Sequence, residues 1–206
     1  MSESLSSSPG KARQDGRVTN EAQLVEIYES VRNLPYDTAA AHDAASLRDQ
    51  GRGNCVAKAD LLAEELSGVG VECRLISWEY KLPVLVDVQH DVPFDSDVHT
   101  AVQVLLSGKW ILVDATHDPA LAELGLAVGH WDGASATVPA YQAVGSVFPH
   151  GRGGLSRELD EALERIGQQV ETADPELIAR YQHDLNQLFE RPRSQATSEG
   201  TMPAGR

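Results

Sequence analysis

Cysteine and lysine are scarce in this chain. Cys55 and Cys73 are its two cysteines, too few for a disulfide framework at 206 residues. The lysines are Lys11, Lys58, Lys81 and Lys109; the remaining cations are arginines. With Lys and Arg numbering 17 against 31 Asp and Glu, the net charge is -14. Such a surface repels phosphate backbones and anionic lipid, which argues against nucleic acid and membrane as partners. Scarce Lys beside abundant Ala, Asp and Glu fits a GC-rich genome or a salt-adapted proteome. No apolar run approaches the ~20 residues that span a bilayer, and the Ser-rich start, Met1 to Gly10, has no apolar signal core. A cytoplasmic, reduced setting is the expectation, and it suits a free thiol.

What is present has the size and the 41% hydrophobic content of one globular domain. Residues 1–17 read as a disordered arm, 18–190 as the folded domain and 191–206 as a disordered tail. Asn20 to Gln23 has the form of a capping box, and Leu24, Ile27, Tyr28, Val31 and Leu34 follow at helical spacing up to Pro35. Thr38 to Asp49 is Ala-rich and predicts a helix. From Cys55, residues Val56, Ala59, Leu62, Ala63 and Leu66 share one helical face, while Lys58, Asp60, Glu64 and Glu65 are expected to face away. Val71 to Tyr80 predicts a strand, 81–96 a loop with a short strand at 84–88. Asp97–Leu106 and Lys109–Asp114 predict a hairpin across Ser107-Gly108. Residues 115–154 give little pattern. Leu155–Val170 predicts an amphipathic helix, and Asp174-Pro175 the cap and first position of a last helix reaching about Phe189. The order of elements is α+β, with an antiparallel sheet between helices.

Cys55 follows the turn Gly51-Arg52-Gly53-Asn54 and opens a helix. A sulfur there meets backbone N–H groups and the positive end of the helix dipole, a setting that supports thiolate chemistry. If Leu106 pairs with Lys109, paired numbers sum to about 215 in this register, and His99 and Asp114 become diagonal neighbours on one face. That diagonal, ~7–8 Å between backbones, is within reach of the two side chains. Trp110 shares their face and is expected to pack beside the site. The other face, Val98, Thr100, Val102, Val104, Leu106, Ile111 and Val113, is expected to meet the core.

Three segments then resemble the transglutaminase-like superfamily, cysteine enzymes with a papain-like core. Gly53-Asn54-Cys55-Val56-Ala57-Lys58-Ala59 is similar to the nucleophile helix. Gly68-Val69-Gly70-Val71-Glu72-Cys73-Arg74 is similar to the segment that turns into the next strand. Val98-His99-Thr100-Ala101 with Gly108-Lys109-Trp110-Ile111-Leu112-Val113-Asp114-Ala115-Thr116 is similar to the His strand and the Asp strand. The family often has His-Ala-Trp, and here the aromatic is replaced by Ala101. The resemblance implies Cys55 as nucleophile, His99 as general base and acid, and Asp114 as the orienting acid.

The chemistry so implied is acyl transfer through a thioester on a peptide or protein amide, without a cofactor. It ends in hydrolysis or in transfer to an amine, with hydrolysis favoured over protein cross-linking because the chain is a minimal single domain. The Cys55 N–H is a candidate oxyanion donor, with Gln50 and Asn54 as further site-lining candidates. Two other readings compete. One is a catalytically retired domain of the same fold that binds a peptide or protein partner. The other is a metal-dependent hydrolase, for which His117-Asp118 is the tempting cluster, although no histidine pair has i, i+4 ligand spacing and no Cys-x-x-Cys occurs. Cys73 alternates with apolar residues and is expected in the core. The loops 81–96 and 117–154 are expected to wall the substrate cleft.

Overall fold

The structure is a computed structural model that describes residues 13–14, 17–18, 20–86, 88, 91–150 and 155–199. Of the expected N-terminal arm, only a two-residue pairing of β1 (Arg13–Gln14) with β2 (Arg17–Val18) falls within the described residues. Helix α1 (Glu21–Arg32) starts as expected: the Asn20 side chain accepts the Ala22 N–H, and Leu24, Tyr28 and Val31 are buried.

The Ala-rich stretch is not one helix. It divides into strand β3 (Tyr36–Ala41) and helix α2 (Ala44–Gln50). Asp43 makes the break, because its carboxylate caps α2 by accepting the Ser46 N–H at 2.8 Å. The backbone of β3 is claimed by distant partners, with Tyr36 N–H donating to Asp118 and Thr38 N–H to Asn186. Weak alanine preferences yield to such tertiary bonds.

Helix α3 (Cys55–Gly68) begins at Cys55, and the Asn54 side chain caps it by accepting the Ala57 N–H. One expectation for this helix fails: Lys58 does not face water. It is fully buried, its Nζ donating to Arg32 O at 3.0 Å and Leu34 O at 2.7 Å at the end of α1. An ammonium on a long stem can be buried when carbonyls receive it, and helical spacing alone does not reveal such acceptors.

The main sheet has the order β6-β5-β4-β7 and is antiparallel throughout. It comprises β4 (Cys73–Lys81), β5 (Ser96–Leu106), β6 (Lys109–Val113) and the short β7 (Phe148–Pro149). The β5–β6 register pairs Leu106 with Lys109 and Val102 with Val113, as the hairpin signal predicts. Ser107 and Gly108 both have positive φ, 51° and 76°, the geometry a two-residue hairpin of native twist requires. Val102, Val104 and Val113 enter the core with α1 and α3, and Leu106 and Ile111 pack against it. Val98 and Thr100 depart from that expectation and line a cavity. Cys73 packs partly buried against the same core.

No strand occurs among the described residues of 82–88. The poorly patterned segment holds a 3-10 helix (Pro119–Leu124) and otherwise irregular chain that returns over the sheet. Helix α4 (Arg157–Thr172) is capped by Ser156. Helix α5 (Pro175–Glu199) continues past the expected boundary near 190, through Pro192. Arg193 anchors this extension, donating to Asp118 at 2.6 Å and to Tyr36 O at 2.9 Å. Residues 200–206 lie outside the described residues. Among the described residues, no helix is long and apolar enough to cross a membrane.

Candidate functional site

The sheet and its return loop fix Asp114 from several sides. Its backbone N–H donates to Thr137 Oγ1 at 2.8 Å and its carbonyl accepts the Tyr28 hydroxyl at 3.0 Å. Its carboxylate accepts the Thr116 N–H on Oδ1 and the Ala140 N–H on Oδ2. The Asp-x-Thr run and the unpatterned return loop thus share one task, which is to aim this carboxylate. The remaining bond comes from His99: Nε2 donates to Asp114 Oδ2 at 2.9 Å, and both side chains are almost wholly buried.

Three aromatic rings enclose the imidazole. Trp78, the register partner of His99 across β4 and β5, meets it edge to face at 4.7 Å between centroids. Tyr141 and Tyr80 stand at 5.2 and 6.2 Å. Trp78 belongs to the neighbouring strand and shares a buried cluster with Ala101, the position where the family often has an aromatic. Burial by itself opposes the charged ring, but the Asp114 charge and hydrogen bond outweigh it, and the Cys55 thiol adds to them; His99 is pushed up to about 10. Burial would likewise raise Asp114, yet the His99 charge, the Ala140 N–H and Thr116 hold its carboxyl well below the usual carboxylate range. Both shifts favour the charged forms of this buried pair.

The second ring nitrogen of His99, Nδ1, makes no hydrogen bond of ordinary geometry among the described residues. Cys55 nevertheless acts on the same ring. Sulfur and imidazole are thus close neighbours that are not aligned as a formed hydrogen bond, a common state for such pairs before substrate binds.

Cys55 lines a cavity of about 540 Å³. Asn54 lines it too, with its Nδ2 at 2.7 Å from His42 Nδ1. Two other sequence candidates lie elsewhere. Gln50 is the exposed last residue of α2, outside the cavity lining, because Gly51 turns the chain away in a left-handed conformation. Trp110 does not pack beside the site. It pairs with Leu105 near the hairpin tip, beneath the Arg74 guanidinium at 4.1 Å from its ring. Sharing a sheet face with His99 did not bring it near, because its partner Leu105 stands at the far end of β5 from His99.

Several residues at the site carry no local sequence signal. Tyr36 lines the cavity, and its hydroxyl receives the Tyr141 hydroxyl at 3.4 Å. Burial, then Tyr141 and Cys55, keep Tyr36 well above the ordinary tyrosine range, so it stays a proton donor. Ser77, Thr100 and His150 form a hydrogen-bonded cluster in the wall, at 2.8 Å for each contact. His117, the tempting metal residue, is buried with Nδ1 donating to Ala127 O, and Asp118 is engaged by Arg193 and Tyr36 N–H. Among the described residues no group of three or more His, Cys, Asp or Glu side chains is arranged to hold a metal ion. The loop 81–96 contributes Leu82, Pro83 and Phe94 to the cavity, and 117–154 contributes Tyr141 and His150; helices α4 and α5 supply much of the rest.

The model of the transglutaminase-like superfamily matches residues 11–115, half of the chain and a span that includes Cys55, His99 and Asp114. The chain belongs to that superfamily and has its α+β core. Among solved structures it is similar to a candidate cysteine protease from Cytophaga hutchinsonii, at 16% identity and a TM-score of 0.34, covering 63% of this chain and 41% of that one. It is also similar to the arylamine N-acetyl transferase of M. smegmatis, at 21% identity and a TM-score of 0.34, covering 50% of this chain and 42% of that one. The chain thus spans about two fifths of the length of each. No curated protein matches it.

Proposed function

We propose that this protein is a thiol enzyme that transfers acyl groups through a thioester on Cys55, with a peptide or protein amide as its general substrate type and water or an amine as acceptor. The observation that carries the reading is the buried 2.9 Å contact of His99 with Asp114, set beside the Cys55 thiol at a helix start. Asp114 holds the ring in place and supports its protonated form. A protonated imidazole is the cation that a thiolate nucleophile needs beside it. The thiolate attacks the carbonyl carbon, forming the S–C bond. The His99 proton passes to the departing amine as the C–N bond breaks. Water or an amine then attacks the thioester, gives its proton to His99 and releases Cys55.

The negative oxygen of each tetrahedral intermediate requires donors. We assign these roles to the Cys55 backbone N–H and the Tyr36 hydroxyl. Tyr36 lines the cavity together with Cys55, and burial keeps its hydroxyl protonated and able to donate. Hydrolysis remains the favoured outcome, and the reducing cytoplasm, which would keep Cys55 and Cys73 as free thiols, the favoured location.

The test is the rate of iodoacetamide labelling at Cys55 as a function of pH. Labelling faster than a model thiol below pH 7, lost in His99→Ala, supports the reading. Labelling at the model-thiol rate, unchanged by His99→Ala, would refute it and leave a domain that only binds.

A further inference from the structure

We propose that the acyl group accepted by this site is bulky and apolar, delivered by an uncharged donor. The inference rests on the thiol reading above and narrows it to a substrate class. A cavity of about 540 Å³ that includes Cys55 falls in the range of ~300–1,000 Å³ typical of small-molecule sites. Its wall is dominated by side chains such as Leu82, Phe94, Leu163, Ile166, Tyr181 and Leu185. The polar atoms of Ser77, Thr100 and His150 satisfy one another, so they ask little of a ligand.

Charge points the same way. The lining contains no Lys or Arg among the described residues, and Asp97 is its one acidic side chain. Phosphate recognition calls for guanidinium or ammonium groups, and the described lining presents neither. The walls from Tyr141 onward, including α4 and α5, lie beyond residue 115, where the family match ends. The chemistry therefore belongs to the shared core, while the shape of the acyl pocket belongs to this chain. Arg193 and Asp118 tie α5, which forms part of this wall, to the core.

The experiment compares p-nitrophenyl acetate with p-nitrophenyl hexanoate on the full chain. Acylation of Cys55 is followed by nitrophenolate release and intact mass, each rate divided by that of a small model thiol with the same ester. A buried methylene is worth about fourfold, so the expected normalised preference for hexanoyl is on the order of thirtyfold or more. Leu163→Trp, at a half-exposed wall position that tolerates a larger side chain, should shrink that preference severalfold. Free coenzyme A at millimolar concentration should not slow acylation. A normalised preference near one, with Cys55 still acylated and still labelled rapidly by iodoacetamide, would overturn the pocket proposal and leave the thiol reading intact. So would hexanoyl turnover that survives Cys55→Ala, or protection by coenzyme A. Failure of both esters together with model-thiol labelling would remove the thiol reading, and this proposal with it.

Discussion

Trp78 and His99 face each other across β4 and β5, ring edge to ring face, 4.7 Å apart. The indole N–H is itself tied to Tyr141 O at 3.0 Å, and the Tyr141 ring flanks the same imidazole. A three-ring enclosure therefore orients His99 from the sides while Asp114 orients it from the end. The enclosure also removes water, which strengthens every charge interaction inside it.

The first prediction concerns Asp114. Its carboxylate accepts three hydrogen bonds, and Asp114→Asn places an amide where at least one of those N–H groups must lose its acceptor. We expect a stability loss of ~1–3 kcal/mol from the unsatisfied buried group, measured by urea denaturation. His99 also loses the charge that raises it, so Cys55 labelling at pH 6 should fall at least tenfold and its pH profile should move upward. A profile identical to wild type would exclude Asp114 as the support of His99.

Lys58 gives a prediction about pH. Burial, only partly offset by Asp118 and Asp114, lowers its amine to about 7. The folded state therefore carries a penalty that is full below about 7 and is relieved as pH rises toward the ordinary lysine value of 10.5. His99 acts in the opposite sense: its contribution is full below 6.5 and is lost as pH rises through about 10. In the wild-type chain the two slopes oppose each other over nearly the same window. In Lys58→Met the penalty is gone, so stability should decline from pH 7 to pH 10. The difference between variant and wild type should shrink over that interval, as read by denaturant midpoints. A difference independent of pH would mean that Lys58 titrates as an exposed lysine.

Arg193 tests the role of α5. Its guanidinium and the Asp118 carboxylate are both largely buried and 2.6 Å apart. Removing one partner of such a pair costs ~3–5 kcal/mol when burial is complete. We expect somewhat less, about 2–3 kcal/mol, for Arg193→Ala. Limited proteolysis should then cut within α5 sooner than in wild type. Unchanged protection would show that α5 is held by its apolar contacts alone.

Gly53 stands two residues before Cys55 and bridges to both Tyr36 and Ala41. A Cβ at this position would lie 2.9 Å from Ala41 O and 3.1 Å from Leu47 Cδ1. Gly53→Ala must move backbone, and the expected cost is ~1–3 kcal/mol. Because the displaced segment carries the start of α3, Cys55 labelling should slow in the same variant, in contrast to a surface substitution of equal stability cost.

Much of the fold was legible because local signals agreed with one another. Asn20 caps the helix that its position predicts, α3 starts at Cys55 where its helical spacing begins, and Ser107-Gly108 fixes the register that brings Asp114 toward His99. Where the reading failed, a partner far along the chain decided the outcome. Asn186 and Asp118 turned an alanine run into β3. The carbonyls of Arg32 and Leu34 drew Lys58 inside.

Sequence by itself determined the elements of the core, the family and the three residues that carry the proposed chemistry, because caps, turns and apolar periodicity act over a few residues. Only the tertiary structure decided what surrounds them. Trp78, Tyr36 and Tyr141 gather around the site, α4 and α5 close the cavity, and Gln50 and Trp110 fall outside it. These are contacts between residues tens of positions apart. They are set by which faces bury together and which distant polar groups pair, and no local spacing encodes that.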